Sequence, residues 1–239
     1  MNRVVIGLAL LPVVILLAFV AWKDRRNPEP IGQILKALLF GVLSIPCSLF
    51  FSFLISFFVN VPDVESMHTI NDALVTAFWG AAIPEESAKL LMLWLFLRNN
   101  PYFDERVDGI VYASCIALGF AGVENLVYLF GNLDDFISVG INRGIFAVPG
   151  HLCDGIVMGY YYSKCKYSNR YKFFIRPFIW VVPVILHGIY DFILMSMSVE
   201  SNSKNAALFY GLFIIFFIWL LKFANKRINK LLDKDYHKH

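Results

Sequence analysis

The sequence predicts an all-α integral membrane bundle of about seven transmembrane helices, and three observations carry that expectation. Of the 239 residues, 58% are hydrophobic and only 16% are charged, against roughly 25% charged in soluble domains. The apolar residues gather into runs of about 20, the length a helix needs to cross a bilayer. Between the runs, Lys and Arg alternate from side to side, as their preference for short cytoplasmic loops requires.

The runs are 4–22, 34–59, 70–97, 107–130, 141–163, 173–197 and 206–223. The first has only Arg3 as a basic flank, and no small-x-small cleavage site precedes Lys23, Arg25 and Arg26. It is therefore expected to stay as a helix and not to be removed as a signal peptide. The first loop carries Lys23, Arg25, Arg26 and Lys36, and the third carries Arg98 and Arg106. Lys164, Lys166, Arg170, Lys172 and Arg176 follow in the fifth, and Lys222, Lys226, Arg227, Lys230, Lys234 and Lys238 in the Lys-rich, low-complexity tail. The other side holds only Arg3, Arg143 and Lys204. This predicts one membrane domain over 1–239, N-terminus out and C-terminus in. The net charge of +3 follows from this anchoring, and nothing calls for a nucleic-acid partner. Cys47, Cys115, Cys153 and Cys165 are scattered without a Cys-x-x-Cys pair, so no disulfide framework or thiolate metal site is expected.

Against this background the polar residues inside the runs stand out. A charged side chain near the bilayer centre costs about 2.5 to 3.5 kcal/mol on insertion scales, which makes such residues functional candidates. The third run contains Pro84-Glu85-Glu86-Ser87-Ala88-Lys89. At about 100° per residue, Lys89 falls about 40° from Glu85 and about 60° from Glu86, so it can neutralise one carboxylate of the pair. Pro84 removes a backbone donor and frees the carbonyl of Gly80, which predicts a loosened helix and a hydrated pocket just before the glutamates.

The fourth run places Glu124 on a stripe with Ala113, Ala117 and Phe120, and small residues at that spacing let membrane helices approach closely. In the fifth, His151 has Asp154 three residues on; in the sixth, His187 has Asp191 four residues on. Carboxylates at these spacings can orient an imidazole and fix its tautomer. Counting depth at about 1.5 Å per residue, Glu85, Glu124, His151 and His187 can share one outward-leaning site.

In order along successive runs, Glu85-Glu86-x-x-Lys89, Phe120-x-x-x-Glu124-Asn125 and His187-x-x-x-Asp191 resemble the PrsW family of glutamic-type intramembrane proteases, distant relatives of the CAAX prenyl endopeptidases. Asp108-Gly109-Ile110-Val111-Tyr112 leading to Gly119-Phe120 shares the likeness, which covers about 70–192. The resemblance implies peptide-bond hydrolysis by water without an acyl-enzyme, in a bacterial inner membrane. Its catalytic set would be Glu85, Glu86, Glu124 and His187, supported by Lys89, Asn125, His151, Asp154 and Asp191. It further implies a membrane-anchored protein substrate, with outer-side cleavage of an anti-sigma factor as the example. The prenyl endopeptidases have a histidine in the slot that Glu124 occupies here, and His151 is the residue available to replace it.

The residues alone point the same way, since base, acid and imidazole in a low-dielectric site suit general acid/base hydrolysis. No Gly-x-Ser-x-Gly motif and no Cys beside a His support a covalent nucleophile. No cofactor is expected, because His-Glu-x-x-His is absent. Two alternatives stay open: a zinc protease using Glu85, His151 and His187, and a proton-coupled transporter relaying through Glu85, Glu124, His187 and Asp191.

Overall fold

The computed structural model describes residues 2–168, 172–200 and 202–236. It is helical throughout: α1 (Asn2–Lys23), α2 (Ile31–Ser56), α3 (Ile70–Val75), α4 (Ile83–Leu97), α5 (Asp108–Gly131), α6 (Phe136–Asn142), α7 (Val148–Lys166), α8 (Lys172–Ile175), α9 (Phe178–Val199) and α10 (Ser203–Tyr236). Five helical stretches among the described residues are long and apolar enough to cross a membrane: Asn2–Lys23, Ile31–Ser56, Asp108–Gly131, Lys172–Val199 and Lys204–Asp235. Of the loop cations, Arg170 and Lys238 lie outside the described residues.

The expected runs 70–97 and 141–163 are each interrupted by a π-helical turn. Thr76–Ala82 joins α3 to α4, and Arg143–Ala147 joins α6 to α7. Both turns close with a bond across five residues, Ile83 N–H to the Phe78 carbonyl and Val148 N–H to the Arg143 carbonyl. Each runs straight into a proline, Pro84 or Pro149. The loosening expected from Pro84 is thus a widened turn and not an unwound segment: a wider ring takes in the residue whose regular bond the proline removes. Upstream, Thr69 and Asp72 form a capping box in which each side chain accepts the other's backbone N–H, fixing where the glutamate-bearing helix begins.

Helix α5 is the axis of the bundle, with residues 108–122 buried on every side. Its neighbours reach it through glycine. A Cβ on Gly159 of α7 would strike the Gly109 carbonyl, and one on Gly41 of α2 would strike the Ile116 carbonyl. The stripe of Ala113 and Ala117 meets Gly155 of α7 in the same crossing. At the perimeter, Ile15 of α1, Phe50 of α2 and Ile215 of α10 are each more than half exposed, at 57%, 55% and 69%, the apolar exterior that a bilayer covers.

The run 173–197 falls within the span-length stretch Lys172–Val199, in which Pro177 caps α9 and sets off the first residues as the short α8. The last helix continues past the end of the run 206–223, and the Lys-rich tail as far as Tyr236 forms the last turns of α10. Leu220, Ala224, Ile228 and Leu231 recur every three or four residues and are buried, so the tail has an apolar stripe that packs back on the bundle. Asp235 closes that contact by accepting from Arg106 at 3.1 Å and from the Val107 backbone N–H at 2.9 Å.

Candidate active site

The first two turns of α4 present Glu85, Glu86 and Lys89 together, as the helical spacing predicts. Lys89 Nζ lies 2.8 Å from Glu86 Oε1 and 3.4 Å from Glu85 Oε2. The two glutamates differ in access. Glu86 is fully enclosed at 0% exposure, whereas the Glu85 side chain keeps 16%.

On one flank the network runs into α7 and α5. Lys89 Nζ is 3.1 Å from His151 Nδ1 and sits 4.1 Å from the centroid of the Phe120 ring. An ammonium can only donate, so Nδ1 accepts, and the ring hydrogen on Nε2 is directed to Glu124 Oε2 at 2.8 Å. Glu124 also receives Arg143 at 2.7 Å. The same guanidinium donates through Nε to Asn125 at 2.8 Å, and Asn125 in turn donates to the Ala9 carbonyl at 3.1 Å. Asn125 therefore ties α1 and Arg143 to the helix that carries Glu124.

On the other flank stands α9. A Cβ on Gly188 would run into the Phe78 ring, and this close approach to the π turn brings the preceding residue, His187, against the glutamates. His187 Nδ1 is 2.9 Å from Glu86 Oε1; Nε2 is 3.3 Å from Asp191 Oδ2 and 3.9 Å from Glu85 Oε2. Both ring nitrogens thus face carboxylate oxygens. The rings of His187 and His151 meet edge to face at 5.3 Å, with Phe120 against His151 at 5.4 Å.

All nine residues singled out in the sequence meet here, with one difference in bonding. Asp154 was expected to orient His151, but both His151 nitrogens are engaged by Lys89 and Glu124. Asp154 Oδ1 is instead buried with no hydrogen-bond partner among the described residues. Arg143 is the residue the sequence reading missed. The charge count places it among the loop cations, yet it is the cation that holds Glu124. Its position inside the apolar run 141–163 was the available signal, because a cation there needs a partner.

One oxygen or nitrogen from each of Glu86, His151, Asp154 and His187 lies within 4.8 Å of the others. Glu86 Oε2 and Asp154 Oδ1 are both buried without partners among the described residues. This nitrogen and carboxylate set fits a zinc ion by donor chemistry. Lys89 already places a positive charge against two of the four, Glu86 and His151.

Comparison with known proteins gives the family. The family described as PrsW family intramembrane metalloprotease matches residues 29–221. A protein named Protease PrsW from Clostridioides difficile (strain 630) is 37% identical over 194 residues, covering 79% of this chain and 78% of that one. Its namesake from Geobacillus kaustophilus (strain HTA426) is 31% identical over 211 residues, 87% of this chain and 84% of the relative. The one from Bacillus subtilis (strain 168) is 32% identical over 197 residues, 81% and 84%. No solved structure matches the chain. With a family match that takes in every residue of the Glu85-to-Asp191 network, the chain belongs to the PrsW family of membrane proteases.

Proposed function

We propose that the chain is an intramembrane endopeptidase in which Glu85 activates the hydrolytic water. The observation that carries this reading is the division within the glutamate pair. Glu86 is sealed between Lys89 and His187, whereas Glu85 is the accessible carboxylate beside them.

In this mechanism Glu85 takes a proton from water as the water oxygen attacks the scissile carbonyl. The C–O bond forms, and the carbonyl electron pair moves onto oxygen. His187, held through Nδ1 by Glu86, donates from Nε2 to that oxyanion. Collapse re-forms the carbonyl and breaks the C–N bond, and Glu85 returns its proton to the leaving amine. Glu86, Lys89, His151, Glu124 and Arg143 hold the geometry. Each positioning charge has an opposite partner, as buried charges require.

Seven spans, with the N-terminus outside the cytoplasmic membrane of a bacterium, complete the reading. The alternation of basic loops supports this topology, and it opens the site toward the outer side. The substrate class is a membrane-anchored protein; outer-side cleavage of an anti-sigma factor is the case the family likeness suggests. Reporter fusions after Lys172 and Lys230 are expected to report cytoplasm, and fusions near Asp63 and Asp134 the outer side. A cytoplasmic signal near Asp134 would overturn the seven-span arrangement.

A second reading is favoured by the cluster of Glu86, His151, Asp154 and His187. A zinc ion held by these residues would supply Lewis acidity to the same hydrolysis. Incubating the purified protein with single-span substrates separates the two readings. Under the glutamate reading, cleavage survives chelators and metal analysis finds no stoichiometric zinc. Stoichiometric zinc that disappears in His187→Ala, with cleavage abolished by chelation, would transfer the role to the metal.

A further inference from the structure

The end of the bundle that carries Arg25, Arg26 and Arg106 also gathers carboxylates. Glu29 of the α1–α2 loop, Asp104 of the α4–α5 loop and Asp108 at the head of α5 each offer an oxygen, and these oxygens lie within 4.8 Å of one another. Asp108 is 0% exposed. Its Oδ2 accepts from the backbone N–H groups of Asp104 and Glu105 at 2.9 and 2.6 Å. Its Oδ1, equally enclosed, has no hydrogen-bond partner among the described residues. Glu29 accepts from the Tyr112 hydroxyl. Asp24, buried beside them, accepts the Glu29 backbone N–H at 3.1 Å.

Three cations close by donate their hydrogen bonds to other groups. Lys23 reaches Asn225 and Asn229, Arg106 reaches Asp235, and Lys166 donates to the Phe103 carbonyl. A buried carboxylate oxygen without a donor carries its full desolvation cost, and carboxylates aimed at one point repel each other. A bound cation relieves both. Every donor is oxygen, the set that selects hard ions over zinc or copper. Asp104, one of the three, also lines a cavity of ≈ 1320 Å³ together with Asp24, which leaves room on that side for waters to complete a coordination shell.

We propose that Glu29, Asp104 and Asp108 form a binding site for a hard divalent cation of the Mg2+ or Ca2+ class. It is distinct from the cluster around Glu86: Asp108 and Glu124 are separated by about 24 Å along α5, at 1.5 Å per residue. The bound ion clamps the loop between the first two helices to the head of the central helix.

The test uses the full chain in detergent, stripped with a chelator and titrated with Mn2+ under electron paramagnetic resonance, with Mg2+ and Ca2+ as competitors. One saturable Mn2+ per chain is expected, displaced by Mg2+ or Ca2+ and accompanied by a rise in melting temperature. Asp104→Asn and Glu29→Gln are expected to weaken binding by about tenfold or more. Asp104 is exposed, so its variant keeps the test informative should changes at Asp108 prevent folding. Binding is expected to persist in His187→Ala, which separates this site from the one in the bundle. The proposal is overturned by absence of saturable binding, by binding unchanged in both carboxylate variants, or by its loss in His187→Ala. It is equally overturned if melting responds to acidification but not to metal, since the carboxylates would then share a proton.

Discussion

Glu85→Gln is expected to reduce cleavage of a membrane-anchored substrate by about a hundredfold or more while the protein expresses and melts nearly as the parent does. Glutamine keeps the shape and the hydrogen bonding of glutamate but cannot take a proton from water. The side chain is partly exposed and its contacts to Lys89 and His187 are long, at 3.4 and 3.9 Å, so little packing is lost. Glu86→Gln should also lose cleavage, but together with stability, because its carboxylate is the enclosed partner of both Lys89 and His187. The contrast is the informative part. Measuring turnover and melting for both variants decides the assignment: if Glu85→Gln cleaves normally and Glu86→Gln alone is inactive yet stable, the base is Glu86.

Lys89→Met is expected to cost about 3 to 5 kcal/mol of folding stability, the usual consequence of removing one partner from a buried ion pair. The ammonium is 2% exposed and contacts Glu85, Glu86 and His151, so its removal strands a carboxylate at 0% exposure. The double variant Lys89→Met with Glu86→Gln should recover most of that loss, since neither charge then remains alone. Denaturation of the four proteins in the same detergent measures the coupling. Wild-type stability in Lys89→Met alone would show that the pair does not hold the site together.

Much of this site is legible in the sequence because helical periodicity carries it. Glu85, Glu86 and Lys89 are neighbours on successive turns, and His187 and Asp191 are one turn apart, so spacing alone foretells both contacts. Contacts between helices follow a different logic. The bond from His151 to Glu124 in place of Asp154, and the reach of Arg143 to Glu124 and Asn125, depend on how α5 and α7 cross at Gly109, Gly155 and Gly159. Spacing along one helix says nothing about that crossing. The tail of α10 was missed for another reason: its charges mask an apolar stripe that shows only when Leu220, Ala224, Ile228 and Leu231 are read as a set. The interruptions at 76–82 and 143–147 have no compositional mark beyond the proline that follows each one.

Those two wide turns bear on how sequences of this kind can diverge. Each holds about one residue more than a regular helical turn would, and one residue rotates everything downstream by about 100°. A chain shortened by a single apolar residue in either stretch would keep its hydropathy, its length class and every catalytic letter. It would nonetheless swing Glu85 and Glu86, or His151, about a quarter of the way round the helix and out of register with their partners. The spacing between these prolines and the helix starts before them is therefore a dimension of the site in its own right, one that substitution cannot restore and that only a compensating insertion in the same turn could repair.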